Sequence, residues 1–208
     1  TMWKTRTMLI LATESVTRKT LLAGAGIAFE TRPAGIDERA VENATAAAGA
    51  TAGEIARQLA MAKAEAVAAH YPDAVVIGAD QVLSFEGNRL HKPRDIAEAR
   101  VQLASLRGHA HHLHTGVAVA LADRTAWSHV SLATLVMRQF SDAERDRILQ
   151  QEGEAALASV GGYRLEGPSV QLFETIEGDY FSILGLPLLP LLGALRTLAP
   201  NLFEEAAA

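Results

Sequence analysis

The chain has 208 residues, of which 49% are apolar and none is cysteine, and its formal net charge is −5. The apolar content supports a buried core, the absence of cysteine excludes disulfide bonds and thiolate chemistry, and the mixture of acidic and basic residues argues against a broad basic surface for nucleic acid. The length suits one large domain or two closely joined lobes, and the lack of cysteine fits the cytoplasm, where we expect the protein. No apolar run approaches the ~20 residues needed to span a bilayer, so we do not expect a membrane protein.

Four elements are predicted in the first third of the chain. A short apolar run near the N-terminus indicates a buried strand, and the same run is too short to indicate a signal peptide. Polar caps and a glycine stop indicate helices, whereas a segment rich in Ala, Thr and Gly indicates a mobile connection. In chain order these are a strand at 8–12, a helix capped by a Ser or Thr and stopped at Gly24, a mobile connection at 42–53, and a helix at 55–70 opened by the capping box Thr51 to Glu54.

The rest of the chain predicts further strands and helices, and two of the strands form a tight hairpin. The alternation of strands and helices predicts an α/β fold with a mixed sheet. In chain order the elements are a strand at 75–80, a hairpin turn at 86–88 between strands at 82–85 and 89–91, a helix from Asp95 to Leu106, strands at 114–121 and 130–137, a helix from the capping box Ser141 to Glu144 to about Gln151, a strand-like segment at 163–173 with a turn at 177–179, and a helix from Pro187 to about Leu198.

Two cations stand at the start of the first predicted helix. Arg18 and Lys19 fall in its first turn, where the helix dipole favours anions over cations. A bound phosphate would remove this conflict, because the free backbone N–H groups and both side chains would face it. The sequence leaves a pair of solvated surface cations open as the alternative.

Asp80 is a candidate for chemistry because it ends an apolar strand. The carboxyl ends of strands are where open α/β sheets usually bind ligands, and a carboxylate there can hold a metal or activate water. Aspartate also begins turns and caps helices. Position alone does not decide between these roles.

Further charged residues lie in apolar or constrained segments. Lys63 lies inside an Ala-rich helix, Lys92 is held extended by Pro93, and Asp37 and Glu38 form an acidic pair in a predicted loop. A single residue of this kind is more often a solvated charge than a ligand.

Two patterns that often indicate cofactor sites are incomplete. Gly24, Ala25 and Gly26 end a predicted helix and lack a third glycine, so they do not predict a dinucleotide site. The histidines within 109–114 alternate between the two faces of a predicted strand, so they do not form a closed zinc site.

Taken together, several motifs in order over about residues 8–198 resemble the Maf family, the septum-formation-inhibitor-like nucleotide pyrophosphatases. The chain departs from the family pattern at Val16, where the family usually has Pro, and at Lys19, where it usually has Arg and where Lys loses the bidentate fork for phosphate. The matching motifs are the opening signature at 9–19, the acidic pair Asp37-Glu38, the helical lysine Lys63, the segment 77–82 around Asp80, the pair Lys92-Pro93, the strand at 115–119, and the closing motifs at 162–167 and 185–188.

The resemblance implies a fold, an activity and partners. We expect a single domain over 1–208 with an elongated, two-lobed α/β fold like that of the inosine triphosphatases, and a nucleotide in the cleft between the lobes. The family activity is hydrolysis of a nucleoside triphosphate between its α- and β-phosphates, with Mg²⁺ or Mn²⁺ as the divalent metal. Family members are often dimeric, so a homodimer stays open.

The resemblance also assigns roles by matching position. Asp80 is expected to be the general base, and Glu38 and Asp80 are expected to hold the metal. The expected phosphate ligands are Ser15, Arg18, Lys19, Lys63 and Lys92, and the positions associated with base selection are Thr17, Gln81 and Glu166.

Gln81 and Glu166 are the pair that the family links to 7-methyl-GTP, whereas Thr and Gln at these places are linked to dTTP and UTP. A carboxylate can accept both N1–H and N2–H of a guanine edge, and it attracts the cationic 7-methyl ring. Thr17 is at the position where the 7-methyl-GTP type often has Trp. Without this Trp, we expect weaker stacking on the cationic ring.

Three other functions remain as alternatives. The first is a dTTP or UTP pyrophosphatase of the same family. The second is a nucleotide-binding regulator of cell division with little turnover, although Asp80, Glu38, Lys63 and Lys92 are all present. The third is a nucleic-acid-binding protein, which the acidic net charge disfavours.

Overall fold

The computed structural model describes residues 7–204, and the absence of a signal peptide inferred for the first residues lies partly outside this range. Seven strands and seven α-helices alternate along it, joined by short 3₁₀ turns. The strands are β1 (Leu9–Ala12), β2 (Glu30–Arg32), β3 (Val75–Phe85), β4 (Asn88–Leu90), β5 (Ala110–Leu121), β6 (Arg124–Met137) and β7 (Phe173–Glu177), and the helices are α1 (Val16–Gly24), α2 (Glu38–Ala47), α3 (Ala52–Ala68), α4 (Ile96–Leu106), α5 (Asp142–Glu152), α6 (Tyr180–Ile183) and α7 (Leu188–Leu198).

The strands form one mixed sheet in the order β2-β1-β3-β5-β6-β7, and β4 pairs with β3 as the predicted hairpin. β1 runs parallel to β2 and β3, and the other pairs are antiparallel. The predicted α/β fold with a mixed sheet is therefore confirmed. Across the described residues, no helix is both long and apolar enough to cross a membrane.

The long strands β3 and β5 connect two groups of core side chains, which correspond to the two expected lobes. Around the start of β3, Ile77 packs with Leu11 of β1 and with α1 and α7. Around its other end, Leu83 packs with Leu135 of β6 and with α4 and α5. Helix α3 covers the opposite face of the sheet, where Ala64 packs against the strands.

The segment 42–53 is not the mobile connection that its composition indicated. Residues up to Ala47 form α2, which begins after Asp37 caps the backbone N–H of Ala40 at 2.9 Å. Alanine has the highest helix propensity of all residues, so the Ala-rich composition here favours a helix. Long-range contacts of Glu42 hold this helix against the rest of the protein.

The predicted strand at 163–173 is also wrong. This stretch consists of turns and a 3₁₀ helix at Pro168–Leu172, and β7 begins only at Phe173. Arg164 and Ser169 both bond to the buried carboxylate of Glu152, which bends the chain away from a sheet ladder. The capping box at Ser141 is half formed, because Ser141 accepts from the N–H of Glu144 while the Glu144 carboxylate pairs with Arg138.

Candidate active site

A cleft of about 1010 Å³ opens between the two lobes. Its walls come from the start of α1, from α2, from the middle of α3 and β3, from the β4 hairpin, and from the turns at 155–166 and 183–185. Of the residues predicted to form the site, those that line this cleft are Ser15, Thr17, Arg18, Glu38, Lys63, Asp80, Gln81, Lys92 and Glu166.

Lys63 lies at the meeting point of two carboxylates. It is only 6% exposed on the sheet-facing side of α3, and its Nζ lies 2.9 Å from Glu38 Oε1 and 3.1 Å from Asp80 Oδ1. A buried charge is costly unless it is paired, so these two carboxylates explain how the helix tolerates a lysine here. The three residues, together with Arg18, form what we call the charged centre.

Asp80 does not end its strand as expected, because β3 continues to Phe85. The neighbouring strand β1 stops at Ala12, which pairs with Gly78. Asp80 therefore lies just past the carboxyl end of β1, where the sheet loses its parallel neighbour and the cleft begins. Asp80 is thus still at the carboxyl end of a strand, where α/β sheets usually bind ligands. That strand is β1, and not β3 to which Asp80 belongs.

The first turn of α1 brings Arg18 into the charged centre. Ser15 caps this helix by accepting from the Arg18 N–H at 3.4 Å, and the Arg18 side chain donates from Nε to the Gly185 carbonyl at 2.7 Å. Its Nη2 lies 4.0 Å from Asp80 Oδ1. Burial lowers the pKa of the Arg18 guanidinium, while the carboxylates of Asp80 and Glu38 act in the opposite direction.

The three residues at positions associated with base selection form different hydrogen bonds. The hydroxyl of Thr17 donates to Glu166 Oε1 at 3.4 Å, which brings α1 and the late turn together. Gln81 donates from Nε2 to Thr115 Oγ1 at 3.0 Å and to the Ile183 carbonyl at 2.9 Å. The Gln81 amide is therefore fixed by the protein, whereas Glu166 is exposed to the cleft.

The two remaining predicted lysines differ in location. Lys92 is exposed on the cleft wall, in the segment that follows β4. The α1 residues that line the cleft end at Arg18, and within the described range Lys19 is half-buried outside this lining. The phosphate-binding roles of both lysines stay predictions.

The cleft also contains a cluster that the sequence did not indicate. Glu42 of α2 is 8% exposed, and its carboxylate contacts Arg89 Nε at 2.7 Å and His91 Nε2 at 3.0 Å. Arg39 Nη1 lies 3.4 Å from His91 Nε2. We call these four residues the second cluster. The sequence contains one signal for it, because the four-residue spacing of Glu38 and Glu42 places both carboxylates on one face of a helix. The composition of 42–53, which indicates a connection, hides this signal.

A second unpredicted contact supports the late turn. The fully buried carboxylate of Glu152 accepts from Arg164 Nη2 at 2.7 Å and from the backbone N–H and hydroxyl of Ser169 at 2.9 and 2.7 Å. Arg164 lines the cleft two residues before Glu166. These bonds hold the turn that carries Glu166.

Glu38 and Asp80 are the carboxylates expected to hold a divalent metal. Both lie within 3.1 Å of the Lys63 ammonium group, so the two carboxylates are close to each other beside the cleft. Magnesium is usually bound by one or two carboxylates together with substrate phosphates, and this pair fits such an ion. Within residues 7–204, no group of three or more His, Cys, Asp or Glu side chains is placed to hold a metal by itself.

Comparison with known proteins agrees with the geometry. The family model for Maf-like protein matches residues 8–198. The chain is 51% identical over 191 residues to a 7-methyl-GTP pyrophosphatase of Rhizobium meliloti (strain 1021), covering 92% of this chain and 96% of that protein.

Two further relatives are similar over almost the whole chain. A nucleoside triphosphate pyrophosphatase of Granulibacter bethesdensis is 53% identical over 188 residues, covering 90% of this chain and 95% of that protein. A 7-methyl-GTP pyrophosphatase of Brucella abortus biovar 1 is 49% identical over 188 residues, covering 90% and 94%. The resemblance seen in the motifs is confirmed, and the chain belongs to the Maf-like protein family.

Proposed function

We propose that the protein is a nucleoside triphosphate pyrophosphatase, which hydrolyses the bond between the α- and β-phosphates to give a nucleoside monophosphate and pyrophosphate. The observation that carries the proposal is the convergence of Glu38, Lys63 and Asp80 at one point in the cleft. The names of the relatives from Rhizobium meliloti and Granulibacter bethesdensis support the same activity.

In this mechanism Asp80 acts as the general base that takes a proton from the attacking water. A base and an oriented water are what attack at the α-phosphorus requires. Charge that develops on the phosphates needs fixed cations, and Lys63, Arg18 and Lys92 supply them from three walls of the cleft. The contacts of Lys63 and Arg18 with Asp80 also hold its carboxylate in position.

Glu38 and Asp80 would hold Mg²⁺ or Mn²⁺ together with the substrate phosphates. When bound, such an ion neutralises phosphate charge and orients the reacting groups. Glu38 is suited to this because its side chain is 56% exposed and faces the cleft beside the buried Lys63.

We further propose 7-methyl-GTP as the preferred nucleotide, over dTTP and UTP. Glu166 is exposed in the cleft, and among residues 7–204 the one hydrogen-bond donor to its carboxylate is Thr17. The carboxylate can therefore accept from N1–H and N2–H of a guanine edge. Uracil and thymine offer acceptors on both sides of one N–H, so one oxygen of the carboxylate would face an acceptor and form no hydrogen bond. The relatives named for 7-methyl-GTP support the choice.

The test is hydrolysis of a panel containing 7-methyl-GTP, GTP, dTTP and UTP, with magnesium and with manganese. We expect pyrophosphate and the monophosphate as products, and the highest kcat/KM for 7-methyl-GTP. Release of inorganic phosphate and a diphosphate instead would contradict the site of cleavage. An equal or higher kcat/KM for dTTP or UTP would replace the preferred nucleotide, and binding without turnover would favour a regulator.

A further inference from the structure

The charged centre has no surplus positive charge. Its two carboxylates, Glu38 and Asp80, face the two cations Lys63 and Arg18 within 4.0 Å. A triphosphate chain is strongly anionic, and its phosphates need cations that are not already neutralised. Even with a divalent metal, the charged centre neutralises only part of the negative charge of the triphosphate. Further cations in the same cleft are therefore needed.

The second cluster provides such a cation, because it contains two arginines and one carboxylate. Arg89 and His91 share the single buried carboxylate of Glu42, and Arg39 adds a further positive charge beside His91. Among residues 7–204, Arg39 is exposed and forms no ion pair with a carboxylate. The cluster is therefore net positive, and all of its members line the cleft.

Glu42 fixes the geometry of this cluster. Burial acts to raise the pKa of the Glu42 carboxyl, but hydrogen bonds from Arg89 and His91 outweigh it and hold the pKa below its ordinary value. A second bond, from Gln102 Nε2 to the His91 carbonyl at 3.0 Å, ties the same segment to α4. The side chains of Arg89 and His91 are thus held before any ligand arrives.

Helix α2 sets the distance between the two clusters. Glu38 and Glu42 are four residues apart, so their side chains lie about 5–6 Å apart on one face. Arg39 follows Glu38 directly and contacts His91. A phosphate chain that begins at the charged centre therefore reaches the second cluster by extending along one turn of α2.

We propose that Arg39, Arg89 and His91 form a subsite for the terminal phosphate of the triphosphate chain. This inference rests on the proposed function and names the part of the cleft that distinguishes a triphosphate from a diphosphate. Arg39 is the residue that tests it best, because its substitution breaks no ion pair of the described residues, whereas Arg89 and His91 anchor Glu42.

The experiment compares Arg39→Gln, Arg39→Lys and the wild type with the triphosphate and the diphosphate of the same nucleoside. We expect Arg39→Gln to lower the ratio of kcat/KM for triphosphate over diphosphate by about tenfold, the effect of losing one charge-assisted hydrogen bond. Arg39→Lys should restore part of the ratio. Arg57→Gln is the matched control, since Arg57 is exposed on α3 outside the cleft lining.

Binding of pyrophosphate, measured by calorimetry on the same variants, separates this inference from the proposed function. Wild-type protein and Arg57→Gln should bind pyrophosphate, and Arg39→Gln should bind it about tenfold more weakly. An unchanged affinity and an unchanged triphosphate ratio in Arg39→Gln would overturn the subsite while leaving the pyrophosphatase activity intact. Loss of pyrophosphate binding in Arg39→Gln, with no hydrolysis by the wild type, would keep the subsite and overturn the activity.

Discussion

Lys63 and Asp80 show how single residues give this cleft its chemistry. Lys63 is a buried residue of α3, and its charge is stabilised by two carboxylates. Because Glu38 contacts the same ammonium group, removing the charge of Asp80 leaves Lys63 with one partner. The charge at position 80 can therefore be changed without leaving an unpaired buried lysine.

We expect Asp80→Asn to abolish hydrolysis while the protein stays folded. Loss of a general base typically lowers the rate by ~10²–10⁴, and asparagine keeps the shape of the side chain. The measurements are kcat on 7-methyl-GTP and thermal melting. Asp73→Asn, in an exposed turn outside the cleft lining, is the control for the same chemical change. A folded Asp80→Asn protein with a rate within threefold of the wild type would contradict the role.

The preference for a guanine base is predicted to depend on the charge of Glu166. An amide in Glu166→Gln accepts only one of the two N–H groups and no longer attracts the cationic ring. We expect the ratio of kcat/KM for 7-methyl-GTP over UTP to fall by about tenfold. Glu174→Gln, on an exposed part of β7, should leave this ratio unchanged. If both variants keep the wild-type ratio, residues other than Glu166 select the base.

Among the elements, the contact of α3 with β3 sets the distance across the charged centre. Gly78 lies so close to α3 that a Cβ there would be 2.1 Å from the Ala60 carbonyl oxygen and 2.7 Å from the Ala64 backbone nitrogen. Lys63 is next to Ala64, and Asp80 is two residues after Gly78. The absence of a side chain at Gly78 therefore permits the 3.1 Å contact between Lys63 and Asp80.

We expect Gly78→Ala to destabilise the protein and to lower its activity. The added methyl group would meet backbone atoms that cannot rotate away, and overpacking of this kind costs ~1–3 kcal/mol or more. Urea denaturation gives the free energy of unfolding. The control is Gly193→Ala in α7, where a Cβ meets no atom within 4 Å and should be neutral or slightly stabilising. Equal stability of the two variants would show that α3 can move away from the sheet without cost.

On the scale of the whole molecule, the lobe that contains α4 and α5 encloses an uncharged histidine. His111 is fully buried beside Tyr163, with 2.8 Å between His111 Nε2 and the Tyr163 hydroxyl. Burial, with a smaller contribution from His112, lowers the pKa of His111 to about 4. Burial also raises the pKa of Tyr163 above its ordinary value. Both groups are therefore uncharged near neutral pH.

This burial predicts a loss of stability in mild acid. Between pH 6.5 and 4 the unfolded chain binds a proton at His111 that the folded protein excludes, so the free energy of unfolding falls as the pH falls through this range. Above pH 6.5 the neutral His111 does not lower the free energy of unfolding. Between pH 7 and pH 5 its titration should lower that free energy by about 2 kcal/mol.

His111→Gln tests this directly, because glutamine can still bond to Tyr163 but does not titrate. We expect its free energy of unfolding to vary less between pH 7 and pH 5 than that of the wild type. His114, whose pKa is also lowered by burial and by His112, contributes in the same direction in both proteins. The exposed His70→Gln should keep the wild-type slope. A wild-type slope in His111→Gln would mean that another group causes the acid sensitivity.

The sequence alone determined the elements whose signals are local, and it grouped most of the site. The caps at Thr51 and Asp95 and the hairpin at 86–88 were predicted and are present. Such features depend on residues within one or two turns of each other. The motifs also placed Glu38, Lys63 and Asp80 in one site through the family resemblance, and these residues are in contact.

Only the tertiary structure decided the features that depend on partners far along the chain. Helix α2 was missed because its buried Glu42 is held by Arg89, 47 residues away. The segment 163–173 has apolar residues that fit a strand, but it is bent by Ser169 bonding to Glu152. The second cluster likewise combines α2 with the β4 hairpin. A buried charge is tolerated only beside its partner, and that partner is brought close by folding, not by a pattern in the neighbouring sequence.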